Sequence, residues 1–123
     1  MNNEKLKKRV KAATNELLYE KGYASAVDMF MEIGKLSQKD YEAWRKGQVP
    51  YLERVIGMNL SKISFAAKEF RKECREQGAK PSFTVYKGWG MKRKKLVLRF
   101  SKSGNEQIEK SYATHYVHKR NGK

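Results

Sequence analysis

Apolar side chains at Leu6, Val10, Ala13, Leu17 and Leu18 recur at three- and four-residue steps, with lysines and glutamates between them. This spacing predicts an amphipathic helix over residues 3–21, and Gly22 is placed to end it. Ser25 reads as the cap of a short helix carrying Val27, Phe30, Met31 and Ile33 and closed by Gly34. Ser37, with Asp40 three residues on, opens another that puts Tyr41 and Trp44 on one face and stops at Gly47. Pro50 suits a helix first turn and starts a fourth, short segment with Leu52, Val55 and Ile56, which Gly57 interrupts. A longer helix is expected from Ser61 to Gln77, with Ile63, Ala66, Ala67, Phe70 and Cys74 on one stripe and Gly78 as its stop.

After Pro81 the period changes to two. Phe83 and Val85 alternate with Thr84 and Tyr86, and Leu96, Leu98 and Phe100 alternate with Val97 and Arg99. The pattern predicts an antiparallel hairpin pairing residues 82–87 with 95–101, across a loop running from Gly88 to Lys94. A short helix from Asn105 would turn Ile108 and Tyr112 inward, and Thr114–Val117 has strand character. The expected class is α+β in one domain, 1–123: a helical part over 1–78, a hairpin over 79–104, a short helix or strand over 105–118 and a frayed tail over 119–123.

Charge changes this picture by its placement. The chain has 28 Lys+Arg against 13 Asp+Glu, a formal charge of +15. Residues 1–80 hold 17 bases and 11 acids, as an ordinary helical surface does, whereas residues 81–123 hold 11 bases and 2 acids. Between Tyr86 and Asn105 stand Lys87, Lys92, Arg93, Lys94, Lys95, Arg99 and Lys102 with no acid among them. Such a concentration repels itself until a polyanion neutralises it, and nucleic acid is the commonest polyanion in a cell. The single cysteine, Cys74, excludes an internal disulfide framework, fits a reducing cytoplasm, and sits on an apolar stripe where it reads as core. No apolar run approaches membrane-spanning length and no secretory signal is evident, so a cytoplasmic protein without a membrane partner is expected.

The order of helices followed by a hairpin is that of a winged helix-turn-helix domain, and the local sequence resembles that family. In the segment from Leu52 to Ser64, Gly57 falls at the glycine of the turn, apolar Met58 follows it, and Ile63 takes the inward position of the second helix. Glu53 departs from the small residue usual there. The resemblance implies that Gly57 adopts positive φ and that the helix beginning near Ser61 is a recognition helix. Its candidate contacts are Ser61, Lys62, Ser64, Lys68, Arg71, Lys72 and Arg75, with the N-terminal members nearest the base edges.

The hairpin cations and Lys87 would hold phosphates, and Trp89, between two glycines, would either stack on a base or fold back onto the core. The hydroxyls, lysine and backbone N–H groups of Ser101, Lys102 and Ser103 before a helix N-terminus make either an anion cradle or an ordinary capped loop. His115 and His118 lack companions for a metal site, and no acid cluster or nucleophile–base pair suggests catalysis, so no cofactor and no enzymatic activity are expected. The whole chain also resembles an uncharacterised family of small basic bacterial proteins, through Asp40–Gly47, Val49–Glu53 and Phe100–Gly104, which implies a bacterial cytoplasmic setting and no mechanism. The expected function is non-enzymatic binding of duplex DNA, with RNA or an acidic protein surface as the alternatives.

Overall fold

The computed structural model describes residues 2–89 and 97–118. Among these residues the fold is α+β, with five α-helices and one three-stranded antiparallel sheet. Helix α1 (Asn3–Lys21) is capped by Asn2, whose side chain accepts from Lys5 N–H, and ends at Gly22 in the left-handed conformation. Strand β1 (Tyr23–Ser25) comes next, and Ser25 caps α2 (Ala26–Glu32) by accepting from Asp28 N–H. Ser37 caps α3 (Gln38–Arg45) in the same way. After a 3-10 turn at Leu52–Val55, Asn59 caps α4 (Leu60–Glu76). Strand β2 (Lys80–Phe83), helix α5 (Glu106–Ala113) and strand β3 (Thr114–Val117) complete the described chain.

The sheet order is β1–β3–β2, so the last strand lies in the middle and joins the two halves of the chain. Ala24 and Pro81 both stand opposite Tyr116, one on each side. Pro81 has no N–H to give a ladder and is accommodated on an edge strand. Helices α1 and α4 lie side by side and parallel, since Lys62 reaches Asn3 near their N-termini and Asn15 reaches Glu73 further along. Between them pack Leu6, Val10, Ala13 and Leu17 with Ile63, Ala66, Phe70 and Cys74, all buried. A second, aromatic part of the core is built on Trp44, which has no exposed surface. Its ring lies 5.2 Å from Phe100, and Phe100 stacks on Tyr112 at 5.1 Å with the planes 1° apart.

Four expectations are corrected. The segment before Gly57 makes only a 3-10 turn: Arg54 and Ile56 N–H bond to carbonyls three residues back, Ile56 is extended, and Gly57 N–H goes to Lys35 O rather than back to Glu53 O, so no α-helical ladder continues. Gly57 is not among the glycines with positive φ, and its N–H donates to Lys35 O at 2.8 Å, so the turn into α4 is not the one the helix-turn-helix resemblance implied. Strand β2 pairs with β3 rather than with 95–101. Among the described residues the expected hairpin keeps one antiparallel bridge, Lys87 with Val97, and the bond from Leu98 N–H to Tyr86 O at 2.8 Å. The alternation on its second arm holds, with Leu98 and Phe100 buried and Val97 and Arg99 exposed. Ile108, expected inward, is 42% exposed, whereas Tyr112 one turn later is buried. The tail from residue 119 lies outside the described residues.

The two interruptive glycines Gly34 and Gly57 should respond differently to substitution. Gly34 has φ +79°, so Gly34→Ala is strained whatever the space around it and should cost about 1–2 kcal/mol. A Cβ at Gly57 would meet Lys35 O at 3.7 Å, an ordinary contact, so Gly57→Ala should be within about 0.5 kcal/mol of neutral. Urea unfolding of the two variants checks the order, and equal losses would contradict it.

Candidate nucleic-acid interface

Successive α-helical residues are turned by about 100°, which sorts the side chains of α4 onto distinct faces. Ile63, Ala66, Phe70 and Cys74 point into the core. The Cys74 thiol is buried, and its pKa is pushed up to about 12, by burial first and by the Glu73 charge second, so it is not poised as a nucleophile. Glu69 and Glu73 turn toward α1 and are 9% and 4% exposed. Glu73 accepts from Asn15 Nδ2 at 2.9 Å and Gln77 Nε2 at 3.1 Å, with Lys11 Nζ at 3.8 Å. Lys62 also belongs to this side, where it donates to Asn3 and is half-buried.

The opposite face carries Ser61, Ser64, Lys68, Lys72 and Arg75, all exposed, with Arg71 half-buried at its margin. Arg71 donates to Ser111 Oγ of α5 at 2.9 Å. The glutamates that could neutralise these bases at three- and four-residue spacing are therefore turned away, apart from exposed Glu76 at the helix end. Lys68, Arg71, Lys72 and Arg75 form four like-charge pairs at i,i+3 and i,i+4, each worth roughly 0.2–0.5 kcal/mol of repulsion in an isolated helix.

The loop after Phe100 is an anion cradle that the protein fills itself. The Glu109 carboxylate of α5 accepts from Phe100 N–H at 2.9 Å, Ser101 N–H at 2.7 Å and Ser101 Oγ at 2.6 Å. Ser101 is 1% exposed, which removes it from the candidate contacts. A second carboxylate, Glu53, accepts from Lys102 N–H at 3.1 Å and from the Tyr112 hydroxyl at 2.8 Å. Burial, and after it the charge of Glu53, raises the Tyr112 pKa, so the hydroxyl stays a donor. Arg99 folds back, its guanidinium donating to the carbonyls of Ser101 and Lys102 and lying 5.9 Å from the Tyr51 ring. The side chains of Lys102 and Ser103 are exposed, as is Lys87.

Trp89 follows neither of its two expected courses in full: it lies against Arg45 and Tyr41 yet stays 39% exposed and outside the core cluster. Its N–H donates to Arg45 O at 2.6 Å, and its ring lies 4.9 Å from the Arg45 guanidinium and edge-on to Tyr41 at 5.9 Å. Tyr86 is the other wall of this cation–aromatic stack, 5.2 Å from the guanidinium. The chain matches no family model, no curated protein and no solved structure.

Of the predicted cations, the structure thus brings Lys68, Arg71, Lys72 and Arg75 together on α4 and leaves Lys87 and Lys102 exposed, Lys102 lining the same groove as Arg71. It diverts Lys62 and Arg99 to internal bonds. Lys92, Arg93, Lys94 and Lys95 lie outside the described residues. The sequence reading missed Arg45, Glu53 and Glu109. The one local hint for Glu109 is its place in the first turn of a helix directly after the donor-rich loop.

Removing Glu109 should be expensive. Glu109→Ala leaves the Phe100 and Ser101 N–H groups without an acceptor beside the aromatic core, and should lower unfolding free energy by about 3 kcal/mol. Urea denaturation monitored by tryptophan fluorescence reads this directly. A loss below about 1 kcal/mol would mean that water replaces the carboxylate freely.

Proposed function

We propose that this protein binds duplex nucleic acid, DNA in the first place, by laying the exposed basic face of α4 along a sugar–phosphate backbone. The observation that carries the reading is the segregation of charge on that helix: Lys68, Arg71, Lys72 and Arg75 share one side, while Glu69 and Glu73 are buried on the other. A merely solvated helix interleaves its signs, and this one retains a repulsion that an anionic backbone would relieve. Lys87, Lys102 and the cations of 92–95 would extend the contact.

The binding is of the holding kind. A helix-turn-helix entry into the major groove would need Lys62 and Ser64 at the base edges, and Lys62 is instead engaged with Asn3. Phosphate contacts position a protein without reading sequence, so the preference is for backbone geometry. Single-stranded RNA is the second reading: Tyr86 is packed against Arg45 and Phe100, but Trp89, beside Arg45, keeps 39% of its surface exposed for a base. The role needs no catalytic step.

Replacing Lys68, Lys72 and Arg75 with alanine should weaken binding to every duplex sequence alike. The slope of log affinity against log salt should fall by ~0.9 for each phosphate that is no longer neutralised. Lys62→Ala should change neither affinity by much nor the profile of preferred sequences. The measurement is a salt titration with random-sequence duplex, run beside a single-stranded RNA competitor. Unchanged low-salt affinity of the triple variant would remove α4 from the interface, and stronger competition by the RNA would overturn the duplex assignment.

A further inference from the structure

Between the N-terminal half of α4 and α5 runs a groove of about 1200 Å³, open to solvent, and its walls carry apolar groups that nothing among the described residues covers. Leu60 on one side is 54% exposed and Ile108 on the other is 42% exposed. Behind them lie Ile63, Ala67 and Tyr112. We infer that this groove is a docking site for an acidic amphipathic helix of a partner protein, on a face that adjoins the basic side of α4 and shares Arg71 and Lys102 with the proposed duplex contact.

Three observations select that occupant. The rim is cationic, with Arg71, Lys102 and Lys110, whereas the acid among the described lining residues, Glu53, is already engaged by Lys102 N–H and the Tyr112 hydroxyl. The polar edge therefore complements negative charge. Second, the site is an open trough walled by two helices and tied together by the Arg71–Ser111 bond. That shape suits the apolar stripe of a third helix, with anchors at i, i+3, i+4 and i+7, and does not enclose most of a small ligand's surface as small-molecule pockets do. Third, a second copy of this chain would bring another +15 charge to a basic rim, which argues against self-association there.

The position of Ile108 supports the assignment from the sequence side. Helix α5 has its first turn anchored by Asn105 and by Glu109 reaching into the preceding loop. With Glu109 committed to that loop and Tyr112 to the core, Ile108 is left at the groove edge. An apolar side chain there stays open to water until a partner arrives.

The test is a selection from a displayed library of helical peptides with randomised exposed positions, against the full chain and, in parallel, against the charge-neutral variant Leu60→Gln/Ile108→Gln. Peptides enriched on the natural chain are expected to combine a Leu, Ile, Phe or Met stripe with net negative charge. Their affinity should fall about tenfold in that variant, as truncation of buried anchors commonly gives. Because the variant could disturb folding, Lys102→Glu/Lys110→Glu provides a second arm: it keeps the apolar walls and should shift selection toward basic peptides. Equal enrichment on both proteins, or no charge preference that the reversal alters, would overturn the proposal. So would a dimer of the natural chain that Leu60→Gln/Ile108→Gln dissolves, which would give the groove to a second copy. A comparable loss of duplex binding in that variant would give it to nucleic acid.

Discussion

The backbone of Arg99, Phe100 and Ser101 is where the separate parts of this chain are joined. Arg99 O accepts both the indole N–H of Trp44, at 2.8 Å, and Leu52 N–H. Phe100 O accepts Glu53 N–H, and the N–H groups of Phe100 and Ser101 go to Glu109. One extended triplet thus satisfies donors from α3 and the 3-10 turn and is itself satisfied by α5, while the Phe100 ring fills the space between Trp44 and Tyr112. Polar groups so close to an aromatic core are costly when unpaired. The network consequently fixes the position of α5, and with α5 the central strand β3 directly after it.

The same economy governs charge. Glu53 and Glu109 are used to hold the loop, and Glu69 and Glu73 are turned into the α1–α4 contact. Four of the 13 acids are therefore directed inward, and the outward field is more cationic than the composition alone conveys. A buried carboxylate is tolerable only where donors surround it. Glu73 illustrates this with Asn15, Gln77 and Lys11 around it. The inward acids and the outward bases of α4 are two consequences of one packing arrangement.

Local signals in the sequence located the helices well, because a stop at Gly22 or Gly78 and a cap at Ser25 or Ser37 depend on a few neighbouring residues. The strand at Thr114–Val117 was legible for the same reason. Partner choice over distance was not legible. The alternation after Pro81 indicates extended chain, but nothing local says that β2 prefers β3, because that pairing depends on β3 also matching β1. The run from Leu52 to Val55 looks helical until Lys35, from across the fold, supplies the carbonyl that takes Gly57 N–H. For the candidate site, the basic character of the helix after Ser61 was visible, but not the separation of its signs, which required knowing where α1 lies. The loop from Ser101 to Gly104 read either as an anion cradle or as a capped loop; its N–H groups at Phe100 and Ser101 are taken by Glu109, while the Lys102 side chain stays exposed.

The fate of the aromatic residues bears on what kind of recognition this surface can perform. Tyr86 and Trp89 flank the Arg45 guanidinium, and Tyr86 packs against Phe100 as well. Tyr86, held by a cation and by the Phe100 ring, has little surface left to offer a splayed base, whereas Trp89 keeps 39% of its own exposed. Base stacking on Tyr86 would have to break an interaction worth about 0.5–2 kcal/mol before gaining its own, whereas phosphates can approach Lys68, Lys72 and Arg75 with no rearrangement of the fold. For the proposed duplex binding, charge and backbone shape are thus the means that the exposed face of α4 offers first.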